Sequence, residues 1–290
     1  LYHVVIDSEL KPGFLNYGEL LLAGESKNEV LLSTYICHPS MANNELSGPT
    51  VTIALAKWLS SLKKRRYTYR IIFIPETIGS IIYLSRNLDH LKKHVIAGFN
   101  ITCIGDDRCY SYLPSRDGNT LSDQVALHVL KHIDPEFRRY TWLDRGSDER
   151  QYCAPGVDLP IATIMRSKYG EYPEYHTSLD DLNLVTPLGL EGGYSALKKA
   201  IEIIEKNVIP KINVLGEPQL NKRGLYPTIS TKKSKGRVEL SSLLNLISYC
   251  DGKLSLLEIA ESIEEPFWDV EPIVYNLVDD DLMSIIDGEY

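Results

Sequence analysis

Three short apolar runs constrain this chain most: EVLLSTYI (29–36), YRIIFI (69–74) and AGFNITCI (97–104). Each is rich in β-branched residues and is followed by turn or polar residues. Runs this short, with little polar alternation, read as strands of a parallel sheet buried on both faces. Between the first two lies TVTIALAKWLSSLKK (50–64), whose apolar residues Val51, Ala54, Leu55, Trp58, Leu59 and Leu62 recur at helical spacing. SIIYLSRNLDHLKKHV separates the second run from the third and is again helical. Strand, helix, strand, helix, strand is the alternation of a parallel sheet. A further helix over 121–133, a strand over 159–165 and a long helix over 187–208 continue it. The expected class is therefore α/β, a mostly parallel sheet flanked by helices. The sequence opens in strand-like residues, LYHVVIDSEL, with no initiator Met and no basic and apolar leader. The expectation is a domain without a secretory signal whose N-terminal part is missing.

Residues 209–236 change character, with three prolines and a basic stretch at 231–237. They divide the chain into a domain over 1–225, a linker over 226–236 and a small module over 237–290. VELSSLLNLISYCDG, SLLEIAESI and PFWDVEPIVYNLVDDDLMSII give three short helices, and a β-wing follows, which is a winged-helix-like pattern. Net charge is −8, unevenly spread. Residues 237–290 hold 13 acidic and two basic residues, a net −11, while the remainder holds 26 acidic and 29 basic residues, a net +3. So sharp a break marks a domain boundary. DNA binding neutralises phosphates, and a module of −11 opposes it, so no nucleic-acid partner is expected. A protein partner or a second copy docking through the acidic module is expected instead. The KKRR run at 63–66 ends a helix, where cations complement the dipole. No apolar run approaches the ~20 residues that span a bilayer, so no membrane partner is expected. The five cysteines are odd in number and form no CxxC pair, which suits reduced thiols in a cytoplasmic protein.

In an open parallel sheet, ligands bind beyond the carboxyl ends of the strands. Cys37, His38, Asn44 and Glu45 follow the first run, Glu76 the second, and Asp106 and Asp107 the third. Arg145, Asp148 and Arg150 precede the 159–165 strand, and Arg166, Tyr175, His176 and Asp180 follow it. Imidazoles and carboxylates thus collect at one end of one sheet. Mixed nitrogen and oxygen donors suit a divalent metal such as zinc. His128 and His132 share i,i+4 spacing without the glutamate of an HExxH helix, and read as ordinary surface or core histidines.

HPSMANNELSG resembles the zinc aminopeptidase motif His-x-Asp…Ala-x-Asp-Asn-x-Ser-Gly, and PETIGS resembles Glu-Glu-x-Gly…Gly-Ser. GSDERQYCAPGVDLP is similar to Gly-Ser-Asp-His…Gly-Ile-Pro, and YHTSLDDL to Tyr-His-Thr…Asp. Four motifs in order over about 180 residues resemble the zinc exopeptidases, and within them the aminopeptidase-like proteins encoded near polysaccharide-biosynthesis genes, which carry a C-terminal winged helix. The resemblance implies a metal-dependent hydrolase cleaving a peptide or related amide. It implies zinc, one ion or two, among His38, Asn44, Glu45, Asp106 and His176. Glu76 would be the general base and Tyr175 the oxyanion donor, while Asp148, Arg145 and Arg166 would bind substrate. Departures stand at Ser40, Asn44, Thr77 and Thr102, where the family pattern has carboxylates. They imply fewer metal ligands, and leave open a degenerate fold serving as a binding or assembly module.

Overall fold

The computed structural model describes residues 1–220 and 240–286; the expected linker at 226–236 lies outside them. Its main sheet is mixed and seven-stranded: β1 (Gly18–Leu22), β2 (Glu29–Tyr35), β3 (Thr68–Ile74), β4 (Val95–Asn100), β5 (Ser111–Leu113), β6 (Arg138–Arg139) and β7 (Ile161–Met165), in the order β1-β3-β2-β4-β7-β5-β6. The central strands β3, β2, β4 and β7 are mutually parallel. β1 pairs antiparallel with β3, and β5 antiparallel with β7.

Five helices cover the two faces: α1 (Ser47–Ser61), α2 (Ile78–His94), α3 (Leu121–Ile133), α4 (Glu149–Tyr152) and α5 (Pro187–Lys206). Alternation along the strands assigns the faces, since successive side chains point to opposite sides of a sheet. Val30 and Leu32 of β2 join Leu55 and Leu59 of α1 and Leu197 and Ile201 of α5 in one core. Leu31, between them, joins Tyr83 and Leu91 of α2 and Tyr152 of α4 in the other. Gly48 lets α1 start hard against the sheet: a Cβ there would lie 2.4 Å from the Ile101 carbonyl oxygen. The strand-like opening residues form no strand, and Leu1, Tyr2, Val4, Val5 and Ile6 are exposed.

Among the described residues the C-terminal unit has three helices, α6 (Leu240–Tyr249), α7 (Leu256–Ser262) and α8 (Phe267–Asp279), and a two-stranded antiparallel sheet of β8 (Ile209–Ile212) with β9 (Met283–Ile286). This is a winged helix. β8 follows α5 directly, so residues assigned from sequence to the larger unit supply one strand of this sheet. Among the described residues, no helix is long and apolar enough to cross a membrane.

The two units meet at α3, α5, α7 and α8. Lys199 lies 3.8 Å over the Trp268 ring, and the Leu256 N–H donates to the Val208 carbonyl at 2.8 Å. His128 is fully buried in this seam. Its Nε2 accepts the Phe267 backbone N–H at 2.8 Å, so its proton sits on Nδ1, which faces Glu261 of α7. His128, His132 and Glu261 have donor atoms close enough for a metal ion. Both nitrogens of His128 are already committed, however, and the trio serves as a seam. Burial pushes the His128 pKa down to about 4, with Glu261 opposing in part. The unfolded chain takes up this proton near pH 6.5 and the folded chain only near pH 4. Stability from this group is therefore complete above pH 6.5 and falls as pH drops toward 4, by about 3 kcal/mol. Urea unfolding at pH 7 and pH 5 should show about 2 kcal/mol of this loss in the wild type and none of it in His128→Asn.

Candidate active site

The loop after β2 turns inward through a π-helical turn, Ala42–Leu46, that leads into α1. Such turns re-aim side chains and recur at functional sites. Asp180 holds this one: its Oδ1 accepts the Asn43 N–H at 2.6 Å, its Oδ2 the Asn44 N–H at 3.0 Å, and its carbonyl the Ala42 N–H at 2.9 Å. Asp180 lies four residues after His176, so this bonding ties the loop carrying His176 to the loop carrying His38. The two imidazoles come to 4.7 Å between ring centroids. Tyr175 stacks on His176 at 3.9 Å, and His176 itself adopts φ 56.

The turn brings Glu45 beneath His38. Glu45 is buried, and Oε1 accepts from His38 Nδ1 at 2.7 Å and from Asn44 Nδ2 at 2.8 Å, while Oε2 accepts the Cys37 N–H at 2.8 Å. A carboxylate taking three donors fixes the His38 proton on Nδ1 and leaves Nε2 as a lone-pair donor. Carboxylate-oriented histidine is the usual support of a metal ligand. The orienting carboxylate absent at Ser40 is thus supplied by Glu45. This reassigns Glu45 from the ligand set expected from sequence.

Asn44 is corrected too. Its Oδ1 accepts from the Tyr35 hydroxyl at 3.1 Å, and Tyr35 lies 2.5 Å from Thr102 Oγ1. Burial holds the Tyr35 pKa well above its ordinary value, so the hydroxyl stays neutral. Tyr35, Thr102 and Asn44 thus form a neutral network at the two positions where the aminopeptidase motifs carry carboxylates. Tyr35 was missed because it ends a strand run and reads as core.

Glu76 follows β3 and is half-buried. Burial, then the charge of Glu45, pushes its pKa up, while a hydrogen bond from Ser147 and the charge of Arg150 pull it down. Burial also raises the Tyr175 pKa, keeping that hydroxyl a donor. Asp148 is buried, with its pKa pushed up to about 7 by burial and by Glu76 and Glu149, against hydrogen bonds from Thr77 and Ser80. Arg150 reaches Thr77 Oγ1 at 2.6 Å.

Three expected site residues fall elsewhere. Asp106 is fully buried, and its carboxylate takes Asn43 Nδ2, Ser167 N, Ser167 Oγ and Arg108 N at 2.8–3.1 Å. That is a loop anchor with no lone pair directed at a metal. Arg166 is buried over Tyr110 at 3.8 Å and donates to the Asp106 carbonyl, out of reach of a substrate. Arg145 is exposed and lies over Trp142. Asp107 accepts from Thr186 at the start of α5.

Donor atoms of Cys37, His38 and Glu45 lie within 4.8 Å of one another, and the His176 ring lies 4.7 Å from that of His38 between centroids. Imidazole, thiol and carboxylate donors gathered this way are of the kind that hold a divalent metal.

Fold and site together define an aminopeptidase-like α/β domain joined to a winged helix. The comparisons agree. A curated Clostridium acetobutylicum protein, described as a polysaccharide biosynthesis protein with an aminopeptidase-like domain, is 43% identical over 260 residues, 89% of this chain and 59% of its own length. A crystal structure of a protein from the same organism, described as a peptidase, superposes with TM-score 0.84 at 37% identity, over 93% of this chain and 60% of that one. This chain thus spans about three-fifths of these relatives. The Bacillus subtilis zinc aminopeptidase matches in fold with TM-score 0.51 at 19% identity, over 65% of this chain and 48% of that one. A Porphyromonas gingivalis glutaminyl cyclase does so with TM-score 0.53 at 14% identity, over 64% and 76%. A family model described as a domain of unknown function (DUF4910) matches residues 5–207, and a winged helix-turn-helix model matches 207–285. The chain belongs to the first of these families.

Proposed function

We propose that this chain is a single-zinc hydrolase of the aminopeptidase type, cleaving a peptide or related amide. The observation that carries this reading is the oriented His38, held by Glu45 and brought against His176 by Asp180, with Glu76 beside them. His38 and His176 would hold the ion, with Cys37, clustered with His38, as a further donor. Zinc bound there would supply Lewis acidity. Glu76, its proton affinity raised by burial and the nearby Glu45 charge, takes a proton from the attacking water and returns it to the leaving amine. Tyr175, kept protonated by burial, donates to the carbonyl oxygen as negative charge develops. Glu45 holds the His38 imidazole still, and Asp180 ties the loop after His176 to the turn after His38, which reduces the reorganisation that metal loading requires.

The Clostridium acetobutylicum relative is described as a polysaccharide biosynthesis protein. That context favours an amide attached to a sugar or its precursor over a dietary or signalling peptide. The test is turnover of a panel of aminoacyl anilides and N-acyl amino sugars by purified protein. Activity should be lost on dialysis against a chelator and restored by one equivalent of zinc. Absence of turnover across the panel in zinc-loaded protein would favour the second reading, a binding module, to which the neutral Asn44 and Thr102 also point.

A further inference from the structure

Thr77 directly follows Glu76 and adopts φ 61, ψ −67. The Ile78 N–H donates to the Glu76 carbonyl at 2.7 Å, closing a three-residue γ-turn. A β-branched residue at positive φ is strained, and such strain persists only where the surroundings impose it. Here the segment around α4 imposes it. Asp148 Oδ1 accepts the Thr77 N–H at 2.7 Å, and Arg150 Nη2 donates to Thr77 Oγ1 at 2.6 Å. Ser80 Oγ lies 2.8 Å from Asp148 Oδ1 and 2.9 Å from the Thr77 carbonyl, bracing the turn from the helix side.

Asp148 and Arg150 are in turn fixed by the buried Glu149 between them. Glu149 Oε1 accepts the N–H groups of Gly146 and Ser147 at 2.8 and 2.9 Å and the Tyr169 hydroxyl at 2.6 Å. Its Oε2 accepts Asn100 Nδ2 at the end of β4 at 2.9 Å. A rigid chain of bonds thus runs from the centre of the sheet to the backbone of the residue after Glu76. Asp148 is buried, and its second oxygen, Oδ2, has no partner, so none of its bonding reaches outward to the site mouth.

We propose that Asp148 and Arg150 are positioning residues that clamp the strained turn at Thr77 and thereby aim the Glu76 carboxylate. This rests on the reading of Glu76 as general base, and it gives Asp148 a role through Thr77 in place of the substrate contact expected from sequence.

The test uses the full chain and two readouts: hydrogen exchange of the peptide over 75–82, and kcat and KM on an aminoacyl anilide. Asp148→Ala should speed exchange of that peptide ~10-fold or more and lower kcat ~100-fold with KM little changed, as expected for a misaimed catalytic group. Asp148→Asn, whose Oδ1 can take both bonds, should stay within ~3-fold of the wild type in both readouts. Adding Thr77→Gly to Asp148→Ala should recover ~10-fold in kcat, because glycine holds positive φ without strain. If Asp148→Ala does not fold, the surface variant Arg150→Ala carries the test, with exchange ~3-fold faster. Unchanged exchange in both variants overturns the clamp, and so does an Asp148→Asn variant as damaged as Asp148→Ala, since charge would then matter and not the bonds. A wild type that turns over no substrate sinks the hydrolase reading alone; the exchange comparison still decides the clamp.

Discussion

Glu76→Gln is expected to lower kcat by about 1,000-fold on any amide the protein cleaves, with folding and zinc content unchanged. Glutamine keeps the size and the bond to Ser147 but cannot accept a proton at neutral pH. Glu45 has three donors on its two oxygens and is not placed to take over. Steady-state kinetics on the zinc-loaded variant, with metal content measured on the same sample, checks this. A loss of less than tenfold would remove Glu76 from the role of base.

The second large effect concerns Glu45. Glu45→Gln should weaken zinc binding by about 10- to 100-fold, the usual cost of losing the support behind a ligand. One amide cannot replace a carboxylate that takes His38 Nδ1, Asn44 Nδ2 and the Cys37 N–H together. Its NH2 group must face one of these donors, and His38 loses its fixed orientation. Competition against a chromophoric chelator measures the change. His38→Ala should lower affinity further still, and equal affinities in Glu45→Gln and wild type would refute the orienting role.

The sequence made the central sheet legible because β2, β3, β4 and β7 are buried on both faces and read as unbroken apolar runs. The edge strands did not read so clearly. GELLL in β1 is largely exposed, and β5 and β6 have three and two residues, too few for a period to emerge. The wing was legible only at its second strand, because Pro210 and Lys211 in β8 look like linker.

Within the site, His38, Glu76 and His176 could be found because each follows a strand, where the topology puts a site. The support around them could not. Whether Glu45 is a ligand or a brace depends on the π-helical turn, and nothing in ANNEL announces that turn. Asp106 and Arg166 were misassigned for a related reason: a sequence lists polar groups but does not count the partners each has already taken. Asp106 has four donors on its carboxylate, and Arg166 has an aromatic ring and a carbonyl. The departures from the aminopeptidase motifs were visible as letters. Their meaning came from Tyr35, which joins Asn44 and Thr102 in a neutral cluster where a second cation would need charge.

The most direct test of a single oriented metal centre is anomalous scattering at the zinc edge from crystals grown with zinc in excess. One peak within bonding distance of His38 Nε2 and the His176 ring is expected, with none beside Asn44 and Thr102. Two peaks a few ångströms apart, or no peak between the two histidines, would contradict it.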